Sequence, residues 1–181
     1  MSNKHERMRD FQDRITKRLA LVQEGSLTAS WIAASIGGAR YLFPLVQSGE
    51  IVPTATVSNV PYTKDWFVGV INFRGRIYGV VDLAAYIEFG DSSHGLEKSR
   101  PNRQTETSFL GLNPSLATNT VFGVEKIYGL KTAEDFAESE MAATNKPDWM
   151  GQQFIDTSRA AWQEINLQLL VQSQSFLNIG A

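Results

Sequence analysis

The chain has 181 residues, 43% of them hydrophobic and 20% charged, with 17 basic and 19 acidic side chains and no cysteine. That length suits one domain or two small subdomains sharing a core, and the composition excludes a disordered chain, a disulfide framework, thiol catalysis and a thiolate metal site. A net charge of −2 argues against nucleic acid as a partner, and two histidines far apart in sequence, His5 and His94, leave little room for imidazole catalysis or a His-rich metal centre.

The opening residues, through Arg9 and Asp10, are charged and no apolar stretch follows them, so no secretory signal is expected. No run approaches the roughly 18 apolar residues of a membrane span. The expectation is a soluble, cytoplasmic protein.

Residues 5–23 place Met8, Phe11, Ile15, Leu19 and Val22 at steps of three and four, the stripe of an amphipathic helix. Asp10 with Arg14 and Asp13 with Lys17 support it at i,i+4, and Gly25 supplies a stop. Such a helix either packs on its own domain or docks on a partner. Residues 1–28 are therefore read as a helix and linker ahead of a domain spanning 29–178.

From Ala29 the period changes. Trp31–Ile36 and Arg40–Val46 are rich in aromatic and β-branched residues, and Gly37-Gly38 between them predicts a tight hairpin. A third strand, Glu50-Ile51-Val52, ends at Pro53. The most apolar window, Trp66 to Phe73, meets Arg74-Gly75 and returns as Arg76 to Val81, which predicts two buried strands with Gly75 left-handed at their turn. Asp82 can cap a short helix, Leu83 to Phe89, that Gly90 can end.

Residues 91–107 are polar and read as a long loop. Strands resume at Phe109–Leu112 and Thr120–Tyr128. Thr132-Ala133-Glu134-Asp135 resembles a capping box and predicts a short acidic helix to about Met141, with Glu134, Asp135, Glu138 and Glu140 on a solvated face. Phe154-Ile155 and Ala160–Ile165 read as a further strand pair.

One internal echo stands out. Tyr78 to Ile87 aligns with Trp162 to Val171, 84 residues later: an aromatic residue, a strand end, a capping Asp82 or Asn166, and apolar residues one, four and five positions on. This predicts a duplicated strand-hairpin-helix unit. Many short strands and few helices then indicate a mainly β protein of two small β-barrels side by side.

Little chemistry is visible. Gly37-Gly38 lacks the rest of a phosphate loop, and no His-Glu-x-x-His, Ser-x-x-Lys or Gly-x-Ser-x-Gly string occurs. Asp82, Glu88 and Asp91 could be combined into carboxylate pairs, but Asp82 already has a cap to make. Lys98, Arg100 and Arg103 lack interleaved aromatics. No catalytic residue, metal ligand or cofactor is assigned. Arg74 is conspicuous instead: alone it is an ordinary turn residue, yet a planar fork of donors at a hairpin tip is also a protein-recognition element.

Val60-Pro61 followed by Trp66-Phe67-Val68-Gly69-Val70-Ile71-Asn72-Phe73-Arg74-Gly75-Arg76-Ile77-Tyr78-Gly79-Val80-Val81-Asp82-Leu83 resembles the signature of CheW-like chemotaxis coupling domains. Tyr41–Pro53 resembles the family's first hairpin return, with Glu50-Ile51 in its Glu-Ile position, and Phe122–Leu130 resembles its second-half motif, with Glu125 in place of Asp. The Phe11-Gln12-x-Arg14-Ile15-x-x-Arg18-Leu19 helix, the Ile77–Asp82 wording and the Ser175–Ile179 ending resemble the PilI type of type IV pilus (twitching motility) chemosensory systems.

The resemblance implies two five-stranded SH3-like β-barrel subdomains sharing a hydrophobic seam, and no enzymatic activity. It implies an adaptor between a CheA-type histidine kinase and the cytoplasmic tips of methyl-accepting receptors, touching the membrane only through those receptors. By position, Asn72, Phe73, Arg74 and Gly75 match the motif that organises the partner-binding surface, and Ser48, Glu50 and Ile51 match the strand beside it. Ser48 stands where the family more often has an apolar residue. A flagellar-type coupling protein is the nearest alternative, and a small β-barrel enzyme or ligand carrier the more distant one.

Overall fold

The computed structural model describes residues 30–89, 108–140 and 146–180. The helix expected over 5–23, the Gly90 stop and the polar loop at 91–107 lie outside the described residues.

The expected strands condense into two sheets. One contains β1 (Ser30–Ile36), β2 (Ala39–Pro44), β8 (Lys126–Thr132), β9 (Phe136–Glu140), β10 (Met150–Asp156) and β11 (Ala161–Ile165), in the order β8-β1-β2-β11-β10-β9. The other contains β3 (Ser48–Pro53), β4 (Phe67–Phe73), β5 (Arg76–Val81), β6 (Ser108–Leu112) and β7 (Thr120–Val124), in the order β3-β6-β7-β5-β4. Three short helices complete the described fold: α1 (Leu83–Phe89), α2 (Leu167–Gln172) and α3 (Gln174–Leu177). The protein is mainly β, as expected.

Each sheet mixes strands from both halves of the chain. The β1–β2 hairpin joins β11 through a parallel pair, Gln163 opposite Tyr41, just as the β6–β7 pair joins β5 through Val80 opposite Val121. β3, which follows the first hairpin, crosses to pair with β6, while β8, which follows β7, pairs with β1. The halves are thus built alike and exchange one strand pair each, β1–β2 against β6–β7. The echo noted in the sequence occupies matching places. Asp82 Oδ1 accepts from the Ala85 N–H at 3.0 Å at the start of α1, and Asn166 Oδ1 accepts from the Leu169 N–H at 3.1 Å at the start of α2. Even the strand-end contacts repeat: the Asp82 N–H donates to the Trp66 carbonyl and the Asn166 N–H to the Trp149 carbonyl.

Two expectations need correction. The segment after Thr132 is a single 3-10 turn, Ala133–Asp135, and then strand β9, not an acidic helix. The capping box is present, with the Thr132 N–H donating to Asp135 Oδ2 at 2.7 Å, but Phe136 is drawn against Trp31 and Phe154 and the chain extends along β10. Tertiary burial of one aromatic ring outweighs a weak local propensity. Likewise, Thr120–Tyr128 is not one strand, because it breaks at Glu125 between β7 and β8.

The largest apolar cluster lies in the seam between the sheets, where Ile32, Phe43, Trp66, Tyr86, Leu110, Phe122, Ile165, Leu170 and Phe176 meet. Smaller clusters fill each unit: Val52, Val68, Ile71, Val80, Phe109 and Val121 in one, Trp31, Ala33, Leu42, Phe154 and Trp162 in the other.

The Gly37-Gly38 turn is the expected two-residue hairpin, with φ of +57° and +76°. The two glycines are not equivalent. A Cβ on Gly37 would stand 2.6 Å from the Ala84 Cβ of α1, whereas Gly38 has open space. Both alanine substitutions suffer the left-handed backbone penalty of roughly 1–2 kcal/mol, and Gly37→Ala adds an overlap worth about 1–3 kcal/mol more. Urea denaturation should therefore give a clearly lower midpoint for Gly37→Ala than for Gly38→Ala.

The β10–β11 hairpin is locked by one carboxylate. Asp156 Oδ1 accepts from the Ser158 N–H, the Ser158 hydroxyl and the Ala160 N–H at 2.6–2.9 Å, and Oδ2 accepts from the Trp162 indole N–H at 2.9 Å. The Ser158 hydroxyl and the Trp162 indole are the main causes that hold this carboxyl well below the usual carboxylate range. A depressed folded pKa stabilises the fold above the unfolded value of about 3.9 and loses that contribution as pH falls through the acid range. Asp156→Asn should lower the urea midpoint at pH 7, and the gap from wild type should begin to shrink below about pH 4, where the unfolded-state carboxyl takes up its proton while the native one stays ionised.

Candidate functional site

The β4–β5 hairpin projects from the five-stranded sheet. Its core end is buried through Val68, Ile71, Val80 and Val81, while Asn72, Arg74, Gly75, Arg76 and Ile77 at the tip are exposed, so the pair is not buried along its whole length. Phe73 pairs with Arg76, which leaves Arg74-Gly75 as a two-residue turn. Gly75 is left-handed as expected, at φ +76°, but so is Arg74, at φ +52°. A two-residue turn with both centres left-handed matches the twist of the strands and ordinarily takes Asn-Gly or Gly-Gly. An arginine there accepts backbone strain in exchange for what its side chain does.

That side chain is held in place. Arg74 Nη1 donates to Glu50 Oε2 at 2.9 Å, and the guanidinium carbon lies 4.9 Å from the centre of the Phe73 ring. Its side chain stays 72% exposed and that of Glu50 43% exposed. An ion pair this open adds at most about 1 kcal/mol to stability. Its effect is positional: one edge of the guanidinium fork is fixed by Glu50 and one face by Phe73, and the rest faces solvent.

Glu50 comes from the opposite edge of the sheet. On β3 the register against β6 shifts between Ser48 and Ile51, and this irregularity turns both Glu50 and Ile51 outward. The Arg74–Glu50 contact brings the β4–β5 tip to the β3 edge, so that Glu50, Phe73 and Arg74 meet at one place on the surface.

Ser48 does not join this face. It is 7% exposed, and its hydroxyl donates to the Pro44 carbonyl at 2.9 Å, so it holds the β2–β3 turn from inside. A polar side chain is tolerated where an apolar one is usual because the buried hydroxyl has found an acceptor. Conversely, Ile77 is a surface residue to which the sequence motif gives no site role. It stands opposite Asn72 on the ladder and is exposed. The alternation Ile77-out, Tyr78-in was a signal for it. Glu125 also has a visible role, since its Oε2 accepts from the Gly38 N–H at 3.2 Å and so braces the β1–β2 turn.

Two concavities flank these elements. A cleft of about 80 Å³ lies behind the tip, lined by Glu50, Arg76, Tyr78, Thr118 and Asn119. An open groove of about 550 Å³ runs along β2 and β11 past Arg40, Tyr41, Lys146, Met150 and Gln163. Burial, with the nearby Asp82 charge as a lesser cause, pushes the Tyr41 phenol up from its ordinary value, which keeps it neutral. Lys146 Nζ donates to Gln163 Oε1 at 2.7 Å. Among the described residues no group of three or more His, Asp or Glu could hold a metal ion.

The CheW-like domain family model matches residues 30–128. Protein PilI of Pseudomonas aeruginosa is 26% identical over 168 residues, covering 92% of this chain and 88% of that protein. A crystal structure of the scaffolding protein TtCheW from Thermoanaerobacter tengcongensis has the same fold, with a TM-score of 0.57 at 18% identity, covering 82% of this chain and 96% of that one. A weaker likeness, 27% over 115 residues, is to the bidirectional sugar transporter NEC1 of Petunia hybrida; it covers 51% of this chain and 43% of that protein. No helix among the described residues is long and apolar enough to cross a membrane.

Proposed function

This chain belongs to the CheW-like domain family, and from that premise we propose that it is a non-enzymatic coupling adaptor of a pilus-linked chemosensory pathway. It bridges a CheA-type histidine kinase to the cytoplasmic tips of methyl-accepting receptors, works in the cytoplasm at receptor arrays, and uses no cofactor. The observation that carries this reading is the exposed Arg74, strained in its backbone, clamped by Glu50 and backed by Phe73. A pre-positioned guanidinium held against Glu50 and the Phe73 ring, on strands that also expose Ile51 and Ile77, has the make-up of an interface hot spot. Signal would pass as a coupling free energy between the two docked partners. The likeness to PilI over nearly the whole chain favours the pilus-linked pathway over the flagellar one.

The test is affinity capture of the protein from its native cytoplasm with mass spectrometry, paired with deletion. Recovery of a large histidine kinase, with loss of twitching rather than swimming on deletion, is expected. Recovery of neither kinase nor receptor overturns the reading.

A further inference from the structure

Apolar side chains stand open to solvent where the chain enters the first sheet. The Leu45 N–H donates to the Ser30 carbonyl at 2.9 Å, so the β2–β3 turn lies directly against the first described residue. In that turn Leu45 is 40% and Val46 73% exposed. The adjacent Gln47 ties the turn to the start of α2: its Oε1 accepts from the Leu167 N–H at 2.7 Å and the Gln168 N–H at 3.4 Å, and its Nε2 donates to Asn166 Oδ1 at 3.4 Å. In the first turn of that helix Leu169 is 40% exposed. The Gln47 clamp satisfies the polar groups at this junction and leaves Leu45, Val46 and Leu169 as an apolar shelf around it.

The segment ahead of Ser30 has the complementary need. Its stripe of Met8, Phe11, Ile15, Leu19 and Val22 needs cover, because most of the stability of an amphipathic helix comes from packing its apolar face. The residues between Val22 and Ser30 can span no more than roughly 28 Å, which confines the stripe to the neighbourhood of the shelf. Charge points the same way. Residues 1–23 hold six basic and three acidic side chains, and the remainder of the chain eleven and sixteen. We propose that residues 5–23 form an amphipathic helix that docks, within the same molecule, on the shelf of Leu45, Val46 and Leu169. This is independent of which partner the Arg74 face binds.

Hydrogen exchange with mass spectrometry on the full chain at low micromolar concentration tests it. Amides of residues 8–22 should exchange about tenfold or more slowly in the wild type than in Val46→Asp or Leu169→Asp chains. Exchange in β4–β5 should be the same in all three, showing that the fold survives. Equal exchange of residues 8–22 in wild type and both variants, whether fast or slow, overturns the proposal. Protection that appears only with rising concentration, alongside a dimer in sedimentation, also overturns it, because the segment would then cover a second copy.

Discussion

Arg74→Glu is expected to weaken assembly with kinase and receptor by about 30-fold or more while leaving the fold intact. The side chain is mostly exposed, and its one ion pair contributes little to stability, so urea midpoints should match the wild type within about 0.5 kcal/mol. Loss of a positioned arginine at an interface centre costs roughly 2 kcal/mol or more, which is about 30-fold in affinity, and the reversed charge adds repulsion. Glu50→Arg with Arg74→Glu sharpens the result. If the internal ion pair alone mattered, the double swap would restore binding; a fork that must face the partner predicts that it does not. Co-sedimentation with kinase and receptor-bearing membranes reads both outcomes. Binding of Arg74→Glu at wild-type strength would remove Arg74 from the interface.

Phe176→Ala is expected to be the most destabilising single change outside the glycine turns. Its ring is buried in the seam, stacked on Trp66 at 5.7 Å and 13°, edge-on to Tyr86 at 5.4 Å, and 6.5 Å from Phe122. Tyr86 extends the contact by sharing hydrogen bonds with the Ser173 and Ser175 hydroxyls. Truncating such a ring costs roughly 3–5 kcal/mol, through lost burial and the cavity left behind. Denaturation should show the loss with the β4–β5 site still formed under native conditions. A contrasting substitution is informative: Trp66 Nε1 is buried with no hydrogen-bond partner among the described residues, so Trp66→Phe removes an unsatisfied donor and should cost less than Phe176→Ala.

These two residues also show what was legible in the sequence. Turn chemistry was, because a glycine pair between apolar runs, or Arg-Gly between β4 and β5, encodes its geometry locally. The echo at Asp82 and Asn166 was legible for the same reason, since a helix cap is a contact over three residues. The exchange of β1–β2 and β6–β7 between the two halves was not, because alternation tells a strand which face to bury and nothing about which neighbour it pairs with. β9 was misread where a genuine capping box met a ring, Phe136, with aromatic partners far away in sequence. In the site, Arg74 was conspicuous and Glu50 was flagged, yet their pairing spans 24 residues and two sheet edges. Ser48 looked like a surface residue because burial of a hydroxyl depends on the Pro44 carbonyl being in reach.

The coupling role is tested most directly by kinase output. A CheA-type kinase and receptor-bearing membranes are mixed, this protein is titrated in, and kinase autophosphorylation is followed with and without receptor stimulus. The account predicts that receptor state changes the rate only once the protein is present, with the response saturating as complexes fill. A kinase rate that responds to the receptor equally with and without the protein, or one that never responds with it present, would contradict the account.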